Sequence, residues 1–220
     1  MPQHERNPKR VVYSISPDRG LQTLLEMWPA ILREEPEAEL HIFYGFSGFE
    51  KSAVADHPIP YLSATALRQV KHMIRSLPKV VAHGRVNQTQ LAGEMLVSGV
   101  WAAPEWFSET SSISAMEAQA AGLYVVTTPI AALNETVADR GTLVVGGWSD
   151  AAGPTDLDRE AFVLAVVQAI RGENQPRTRE ELQAYARSEF GLDELAKEWD
   201  AMLRRVLDEV TVAVVPRWVA

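Results

Sequence analysis

Short apolar runs rich in β-branched residues alternate along this chain with longer segments in which apolar residues recur at helical spacing. Such alternation is typical of repeated strand–helix units, which build a parallel sheet covered by helices. The runs predict strands at residues 10–14, 39–44, 79–83, 99–103, 123–127 and 142–145. The sequence therefore predicts the α/β class, with a doubly wound, mostly parallel Rossmann-like sheet of about six strands and helices on both faces.

Helical segments fill the intervals between the predicted strands. They are expected at residues 20–32, 64–77, 88–97, 112–121 and 133–138. A capping-box pattern, Thr155 followed by Asp158, opens a further helix to about residue 170, and a last amphipathic helix is expected at about residues 192–210. We expect a single domain over residues 1–220, with a polar lead-in at 1–9 and a closing helix and apolar tail at 190–220. The tail either covers a surface in a larger assembly or is a frayed terminus.

Charge and composition exclude several classes of function. A net charge of -8 argues against nucleic-acid binding, which depends on Lys and Arg that neutralise phosphates. The absence of cysteine excludes disulfides, a thiolate nucleophile and Cys-based metal sites. The N-terminal residues lack the apolar core of a signal peptide, and the longest apolar runs are strand-sized. We therefore expect no transmembrane segment and a cytoplasmic protein, peripheral at the membrane only through another domain.

Ligands of a doubly wound sheet bind beyond the carboxyl ends of its strands, so the loops that follow the strands are where chemistry is expected. These loops are residues 14–20, 45–50, 83–87, 104–112 and 128–133. The fourth ends in Thr110, Ser111 and Ser112, each of which can cap the helix that follows. The free backbone N–H groups and positive dipole end of that helix suit a phosphate group, although ordinary helix capping is the alternative interpretation.

The same helix carries a carboxylate within its predicted apolar stripe. The stripe comprises Ile113, Met116, Ala120 and Ala121, and Glu117 falls inside it. Because burying a charge without partners costs several kcal/mol, Glu117 is expected to meet either an internal Arg or Lys or the hydroxyl groups of a ligand. On spacing alone, a structural ion pair and a binding role both remain open.

This stretch resembles the signature of the group 1 (family 4) retaining glycosyltransferases, which have the two-Rossmann-domain (GT-B) fold. Glu109 and Glu117 are separated by seven residues and followed by Ala-Gln-Ala-Ala-Gly and a strand. The resemblance implies that the chain is the C-terminal, donor-binding domain of such an enzyme. It implies that Glu117 binds the ribose of a nucleoside diphosphate sugar and that Glu109 lies beside the transferred sugar. The backbone amides that it assigns to the diphosphate or the sugar are those of Ser111, Ser112, Ile113 and Ser114.

A second match lies in the loop after the first strand, where Ser-Pro-Asp-Arg-Gly at residues 16–20 resembles the family's Pro-Glu-Lys-Gly element. The resemblance places Gly20 in the donor site and the Arg19 guanidinium on the donor phosphates, where it stabilises the leaving diphosphate. On the residues alone, the alternative is that Ser16 caps a helix with Pro17 at its first position and that Arg19 is solvated.

Three weaker matches complete the resemblance. The family usually has a second basic residue where this sequence has Ser14, and Arg85 is the candidate to replace it. The turn that begins at His83 resembles the family's turn beside the nucleotide base, and we expect His83 near the base without a catalytic role. The loop after the second strand resembles a glycine-containing family loop, whose aromatic residues either pack on the base or close the core. Residues 129–135 resemble a family segment ending in glutamate, with Ala132 where glycine is usual.

The activity that the resemblance implies is retaining transfer of a sugar to an acceptor, with Glu109 and Arg19 as catalytic residues. No metal or other cofactor is expected, because the motif holds no Asp or His pair at metal-ligand spacing. The family's N-terminal acceptor-binding domain is expected as a missing partner. A nucleotide-sugar-binding or partner-binding module without turnover is the main alternative. A dinucleotide-dependent enzyme is disfavoured, because no strand is followed by G-x-G-x-x-G.

Overall fold

The computed structural model describes residues 5–54, 63–148, 154–173 and 175–214. In these residues one sheet contains β1 (Asn7–Tyr13), β2 (Glu39–Ile42), β3 (Val80–Ala82), β4 (Ser98–Ala103), β5 (Tyr124–Thr127) and β6 (Thr142–Leu143). The strand order is β3-β2-β1-β4-β5-β6, and every neighbouring pair is parallel. The predicted fold class, a doubly wound Rossmann-like sheet, is confirmed.

Helices connect the strands and cover the sheet. They are α1 (Leu21–Glu34), α2 (Ser47–Val54), α3 (Ala64–Ser76), α4 (Gln88–Leu96), α5 (Ile113–Ala120), α6 (Leu133–Val137), α7 (Asp156–Arg171), α8 (Arg179–Phe190) and α9 (Leu192–Val214), with a 3-10 turn at Ala138–Arg140. One group, α1, α3 and α7, packs together, and α7 lies on β1, β4 and β5. A second group is centred on α5, which packs against β5, α6 and α8.

The core lies around the central strands, which are apolar on both faces because helices cover both. Val11, Val12 and Val100 are fully buried there. Two buried tryptophans complete the core, and the indole N–H of each donates a hydrogen bond. Trp28 Nε1 donates to the carbonyl oxygen of Pro78 at 3.1 Å, and Trp101 Nε1 donates to Ser14 Oγ at 3.0 Å.

Three elements differ from the sequence-based expectation. β1 begins at Asn7, inside the predicted lead-in of residues 1–9, because Asn7 N–H pairs with the carbonyl of Val97 and the Arg6 guanidinium donates to that of Ser98. Residues 47–50 begin helix α2 instead of extending a loop. Helix α8 was not predicted, since its helical apolar period is weak and its capping box, Thr178 with Glu181, starts an otherwise polar segment.

Helix α9 leaves an apolar face uncovered. Its exposed side chains are Leu192, Leu195, Trp199, Met202, Leu203, Val206 and Leu207, with Trp199 54% and Leu207 64% exposed. The last residues of the predicted apolar tail, 215–220, lie outside the described residues. Within the described ranges, no helix has both the length and the apolar character needed to cross a bilayer.

Gly20 should be intolerant of a side chain. Its φ is +106°, and a Cβ there would overlap the carbonyl oxygen of Pro104 in the loop after β4. We expect Gly20→Ala to lower the free energy of unfolding by about 1–3 kcal/mol, measured by urea denaturation. Gly93→Ala is the matched control, because a Cβ at Gly93 meets nothing within 4 Å. It should be neutral or stabilising by up to about 1 kcal/mol. Equal stability of the two variants would contradict the tight packing at Gly20.

Candidate functional site

The candidate site lies where the chain changes direction across the sheet. From β1 the chain passes to β2 and β3 on one side, whereas β4 continues to β5 and β6 on the other. In a doubly wound sheet the crevice for ligands lies at this point, at the carboxyl edge beside the loops after β1 and β4. The predicted catalytic residues, Arg19 and Glu109, come from these two loops.

Arg19 and Glu109 are in direct contact. An Arg19 Nη1–Glu109 Oε1 ion pair joins them, and their side chains are only 28% and 14% exposed. The guanidinium also lies over the ring of Phe107, 4.3 Å from its centroid. Arg19 Nε is buried without a hydrogen-bond acceptor in the described residues. The guanidinium is thus held in place but still has an unused donor.

The loop of Arg19 is fixed by its own hydrogen bonds. The Ser16 hydroxyl donates to the Asp18 carboxylate, and Ser16 O accepts from Arg19 N–H at 3.0 Å and from Tyr13 Oη at 2.8 Å. Helix α1 begins only at Leu21, with no side-chain cap. The alternative in which Ser16 caps the helix and Arg19 is solvated is therefore wrong.

Ser14 links three elements at the bottom of the crevice. Its hydroxyl accepts the Trp101 indole N–H of β4, and its carbonyl accepts a long hydrogen bond from Ser114 Oγ of α5 at 3.4 Å. The position at which the family usually carries a second basic residue is thus occupied by a buried structural contact. Ser114 itself lies in the first turn of α5, beside this contact.

The first turn of α5 keeps its N–H groups open. Ser112, one of the three residues predicted to be able to cap the helix, is the N-cap residue, but its side chain makes no capping bond. Its carbonyl accepts from the N–H groups of Ala115 and Met116, both at 3.1 Å. Among the described residues, no acceptor takes the N–H of Ile113 or Ser114. Ser111 and Ile113 are exposed at this end of the helix, at the ligand edge of the sheet.

The predicted apolar stripe of α5 is wrong. Ile113 is 66% exposed, and the buried face carries Ala115, Ala118 and Gln119 instead. Small residues let α5 approach β5, α6 and α8 closely, and the Gln119 amide donates to the carbonyl oxygens of Ala115 and Thr136. Glu117 consequently lies at the edge of the buried face. It is half-buried, and burial raises its pKa.

Glu117 lines a pocket of about 250 Å³ between α4 and α5, together with Leu91 and Met95. No cation pairs with it in the part of the chain that the structure describes. A structural ion pair of Glu117, which the spacing left open, is therefore absent from the described part of the chain. A half-buried carboxylate beside an open pocket is suited to accept hydrogen bonds from a ligand.

A neighbouring pocket of about 420 Å³ extends toward the crevice. Its lining includes Ser16, Asp18, Tyr44, Gly45, Phe49, Arg85 and Leu91. Leu91 lines both pockets, so they adjoin one another. Arg85 lies close against Gly45, where a Cβ would be 3.1 Å from the Arg85 Cβ. Arg85 and the loop of Arg19 thus line one pocket, and the pocket of Glu117 adjoins it at Leu91. These two adjoining pockets form the cleft.

His83 lies in a different space from the other predicted site residues. It lines a groove of about 630 Å³ with Arg10 and Glu94, and its Nε2 is 2.9 Å from His41 Nδ1. Its ring stacks on Phe43 at 4.3 Å between centroids. Phe43 and Val86 line both this groove and the pocket of Arg85, so the groove of His83 adjoins that pocket.

Sequence reasoning missed three groups that shape the site. Phe107 stacks on Arg19, and Ala132 N–H donates to the carbonyl of Glu109 at 3.2 Å, which ties a third loop to the site. Ala131, next to it, has a φ of +46°, a strained backbone of the kind found at functional sites. Glu105 is fully buried in the same loop as Glu109. Its position directly after β4 was the available signal.

A sequence model of the family described as Glycosyl transferases group 1 matches residues 10–171. This span contains every residue of the cleft. No curated protein matches the chain in a sequence comparison.

Solved structures resemble the chain in fold. The pneumococcal O-GlcNAc transferase GtfA, in complex with UDP and GlcNAc, is 17% identical with a TM-score of 0.70, covering 93% of this chain and 37% of that one. Sucrose-phosphate synthase from Thermosynechococcus elongatus is 18% identical with a TM-score of 0.65 (95% and 47%). HepE (Alr3699) of Anabaena, in complex with UDP and glucose, is 14% identical with a TM-score of 0.64 (90% and 49%). The chain thus spans less than half of each relative.

The His41 imidazole should make stability depend on pH. Burial, then the charge of Arg10, lowers its pKa to about 4, below the ordinary 6.5. Between these values the unfolded chain binds a proton that the folded protein excludes, so stability falls as pH falls. Relative to His41→Gln, the wild type should lose roughly 1–2 kcal/mol between pH 7 and pH 5 in urea unfolding. Removing the exposed His72 should leave this loss in place, and a wild type that loses no more than His41→Gln would contradict the prediction.

Proposed function

The chain belongs to the glycosyl transferases group 1 family, and we propose that it is a donor-binding domain that holds a nucleoside diphosphate sugar for retaining transfer of the sugar to an acceptor. The observation that carries the proposal is the contact between Arg19 and Glu109 at the switch point of the sheet. A guanidinium, which suits phosphate, lies beside a carboxylate, which suits sugar hydroxyls, and Glu109 precedes the N-cap residue of α5 by three positions.

The diphosphate is assigned to Arg19 and the first turn of α5. A guanidinium binds phosphate oxygens through charge-assisted, often bidentate hydrogen bonds, and Arg19 has an unused Nε donor. The N–H groups of Ile113 and Ser114 add neutral donors and the positive end of the helix dipole. Negative charge grows on the diphosphate as the glycosidic bond breaks, so the same donors stabilise the leaving group. In this proposal protein groups, rather than a metal ion or other cofactor, carry out that role.

Glu109 is assigned to the transferred sugar. Without ligand its carboxylate neutralises Arg19. When phosphates bind Arg19, they neutralise the guanidinium in place of Glu109. The Glu109 carboxylate can then accept hydrogen bonds from sugar hydroxyls. The contact of Ala132 N–H with the Glu109 carbonyl holds the backbone in place while the side chain changes partner.

The ribose is assigned to Glu117 and the base to the pocket lined by Tyr44, Phe49 and Arg85. Ribose hydroxyls give the half-buried Glu117 carboxylate the donors that the protein does not provide. The base pocket combines aromatic surface with a polar rim, as small-molecule sites commonly do. A calorimetric titration with UDP, GDP and ADP tests the proposal. Binding of none of the three would refute it.

A second domain is proposed as the partner that brings the acceptor. The chain covers 37% to 49% of the solved relatives described above, and the uncovered apolar face of α9 offers a surface for docking. A binding module without turnover is the second candidate function, and the same two observations favour it. Turnover in the presence and absence of a partner domain distinguishes the two.

Glu117→Gln should weaken nucleotide binding while the fold stays intact. The substitution keeps the size of the side chain but removes charge-assisted bonds to the ribose hydroxyls. We expect a loss of about 1.5–3 kcal/mol in binding free energy by calorimetry. Glu160→Gln, on the exposed side of α7, is the control and should bind like the wild type. Unchanged affinity in folded Glu117→Gln would remove Glu117 from the ribose.

Arg19→Ala should weaken a nucleoside diphosphate much more than the matching nucleoside, because the guanidinium is proposed to contact phosphates only. The two affinities are compared by calorimetry in wild type and variant. Arg68→Ala, an exposed arginine on α3, controls for the general loss of one positive charge. An equal loss for nucleoside and diphosphate would move Arg19 out of the phosphate site.

The chain alone should bind a nucleoside diphosphate and yet show negligible sugar transfer. Positioning donor and acceptor in a cleft between two domains contributes several kcal/mol to catalysis, and this chain provides one side of such a cleft. A product assay with the pure chain, and with the chain joined to a matching acceptor domain, measures this. Robust transfer by the chain alone, abolished by Glu117→Gln, would show that no partner domain is needed.

A further inference from the structure

Glu105 is a buried carboxyl group to which the proposed function gives no role. It follows Pro104 at the end of β4, and its side chain is fully buried. No hydrogen-bond donor reaches either carboxyl oxygen within the described part of the chain. An ionised carboxylate is costly in such surroundings because nothing replaces its hydration. Burial accordingly raises the pKa of Glu105 to about 7.

Hydrogen bonds of its backbone to residues of two neighbouring strands and their ends hold Glu105 in this position. Its N–H donates to the carbonyl of Ala103 at 2.9 Å, and its own carbonyl accepts the hydroxyl of Thr128, which follows β5. The buried side chain is therefore a fixed feature of the loop that also carries Glu109.

The charged groups that act on Glu105 come from the facing loop and strand. The Arg19 guanidinium lowers the pKa of Glu105 and the Asp18 carboxylate raises it, and both belong to the loop after β1. On β1 itself, burial raises the pKa of Tyr13 well above its usual value, so this side chain stays a neutral phenol. Glu109 is paired with Arg19, the cation that lowers the pKa of Glu105.

This cluster has an excess of acid. Three carboxyl groups, those of Asp18, Glu105 and Glu109, share the single guanidinium of Arg19 among the described residues of the two loops. A bound diphosphate adds at least two further negative charges in the same place. An ionised Glu105 then competes with the phosphates for Arg19, whereas a neutral Glu105 does not.

We propose that Glu105 is a positioning residue of the diphosphate site that takes up one proton from solvent when a nucleoside diphosphate binds. In the neutral form it leaves the Arg19 guanidinium to the phosphates, and in the ionised form it draws the guanidinium toward itself. The inference rests on the proposed function, because it requires the phosphates at Arg19. By linkage, a ligand that favours the protonated carboxyl binds more weakly as the pH rises and the carboxyl loses its proton.

The test is calorimetric titration of UDP, or of GDP or ADP if one of these is the nucleotide that binds, into wild type and Glu105→Gln between pH 6 and pH 9. Two buffers of different ionisation enthalpy give the number of protons taken up per nucleotide. Glutamine keeps the size of the side chain and is neutral at every pH, and the proton chemistry of the nucleotide is common to both proteins. The difference between the proteins therefore belongs to Glu105.

We expect the wild type to take up as much as one proton more than Glu105→Gln near pH 8. The ratio of wild-type to variant affinity should fall by up to roughly tenfold per pH unit above pH 7, as linkage to one proton requires. Equal proton uptake and parallel pH profiles would overturn the inference and leave Glu105 a purely structural residue. Absence of nucleotide binding in both folded proteins would overturn the proposed function and this inference with it.

If Glu105→Gln does not fold, the same titrations are made with Asp18→Asn. Removing the neighbouring negative charge lowers the pKa of Glu105, so the fall in affinity should begin at a lower pH than in the wild type. Circular dichroism confirms the fold of each variant. An unchanged pH profile in folded Asp18→Asn counts against the inference.

Discussion

The close approach of the loops after β1 and β4 is the constraint on which the site depends. Gly20 fits beneath the carbonyl of Pro104 because it has no side chain, and the Trp101 indole of β4 donates to the hydroxyl of Ser14, directly after β1. These contacts fix how far apart the two loops can be. Since Arg19 lies on one loop and Glu109 on the other, the same contacts bring a cation and a carboxylate together. A looser junction would leave each of them to pair with solvent.

The ion pair between Arg19 and Glu109 makes ligand binding at this site less favourable. Glu109 neutralises Arg19, and the ring of Phe107 holds the guanidinium flat. A ligand must displace the carboxylate before it can use the cation, so part of the interaction energy is offset by the lost ion pair. In return the guanidinium is already ordered, and little side-chain entropy remains to be lost. The balance favours ligands that give Glu109 new donors as well as giving Arg19 new acceptors.

The sequence predicted the sheet well, because apolar periodicity determines its strands, and it placed the loops of Arg19 and Glu109 at the same edge, although it did not predict their contact. It predicted the inner face of α5 poorly. A helix that packs through alanines leaves no strong apolar stripe, and the larger Ile113 points to solvent at the ligand edge. Glu117 was predicted both from its spacing from Glu109 and from its place in the apolar stripe, and the stripe is not the one that the structure shows. Glu105 could not be assigned, since its burial arises from contacts between strands that are distant in sequence.

The central position of β1 also determines when the cleft can form. β1 pairs with β2, which follows it closely, and with β4, where Val12 lies beside Trp101. During synthesis the first partner is available early, whereas the second emerges only after α3, β3 and α4 have been made. Until then the inner edge of β1 is an unpaired row of backbone donors and acceptors, which is prone to wrong pairing. The amino-terminal half therefore cannot complete its part of the sheet before β4 has emerged, and the crevice beside the loops after β1 and β4 cannot form earlier.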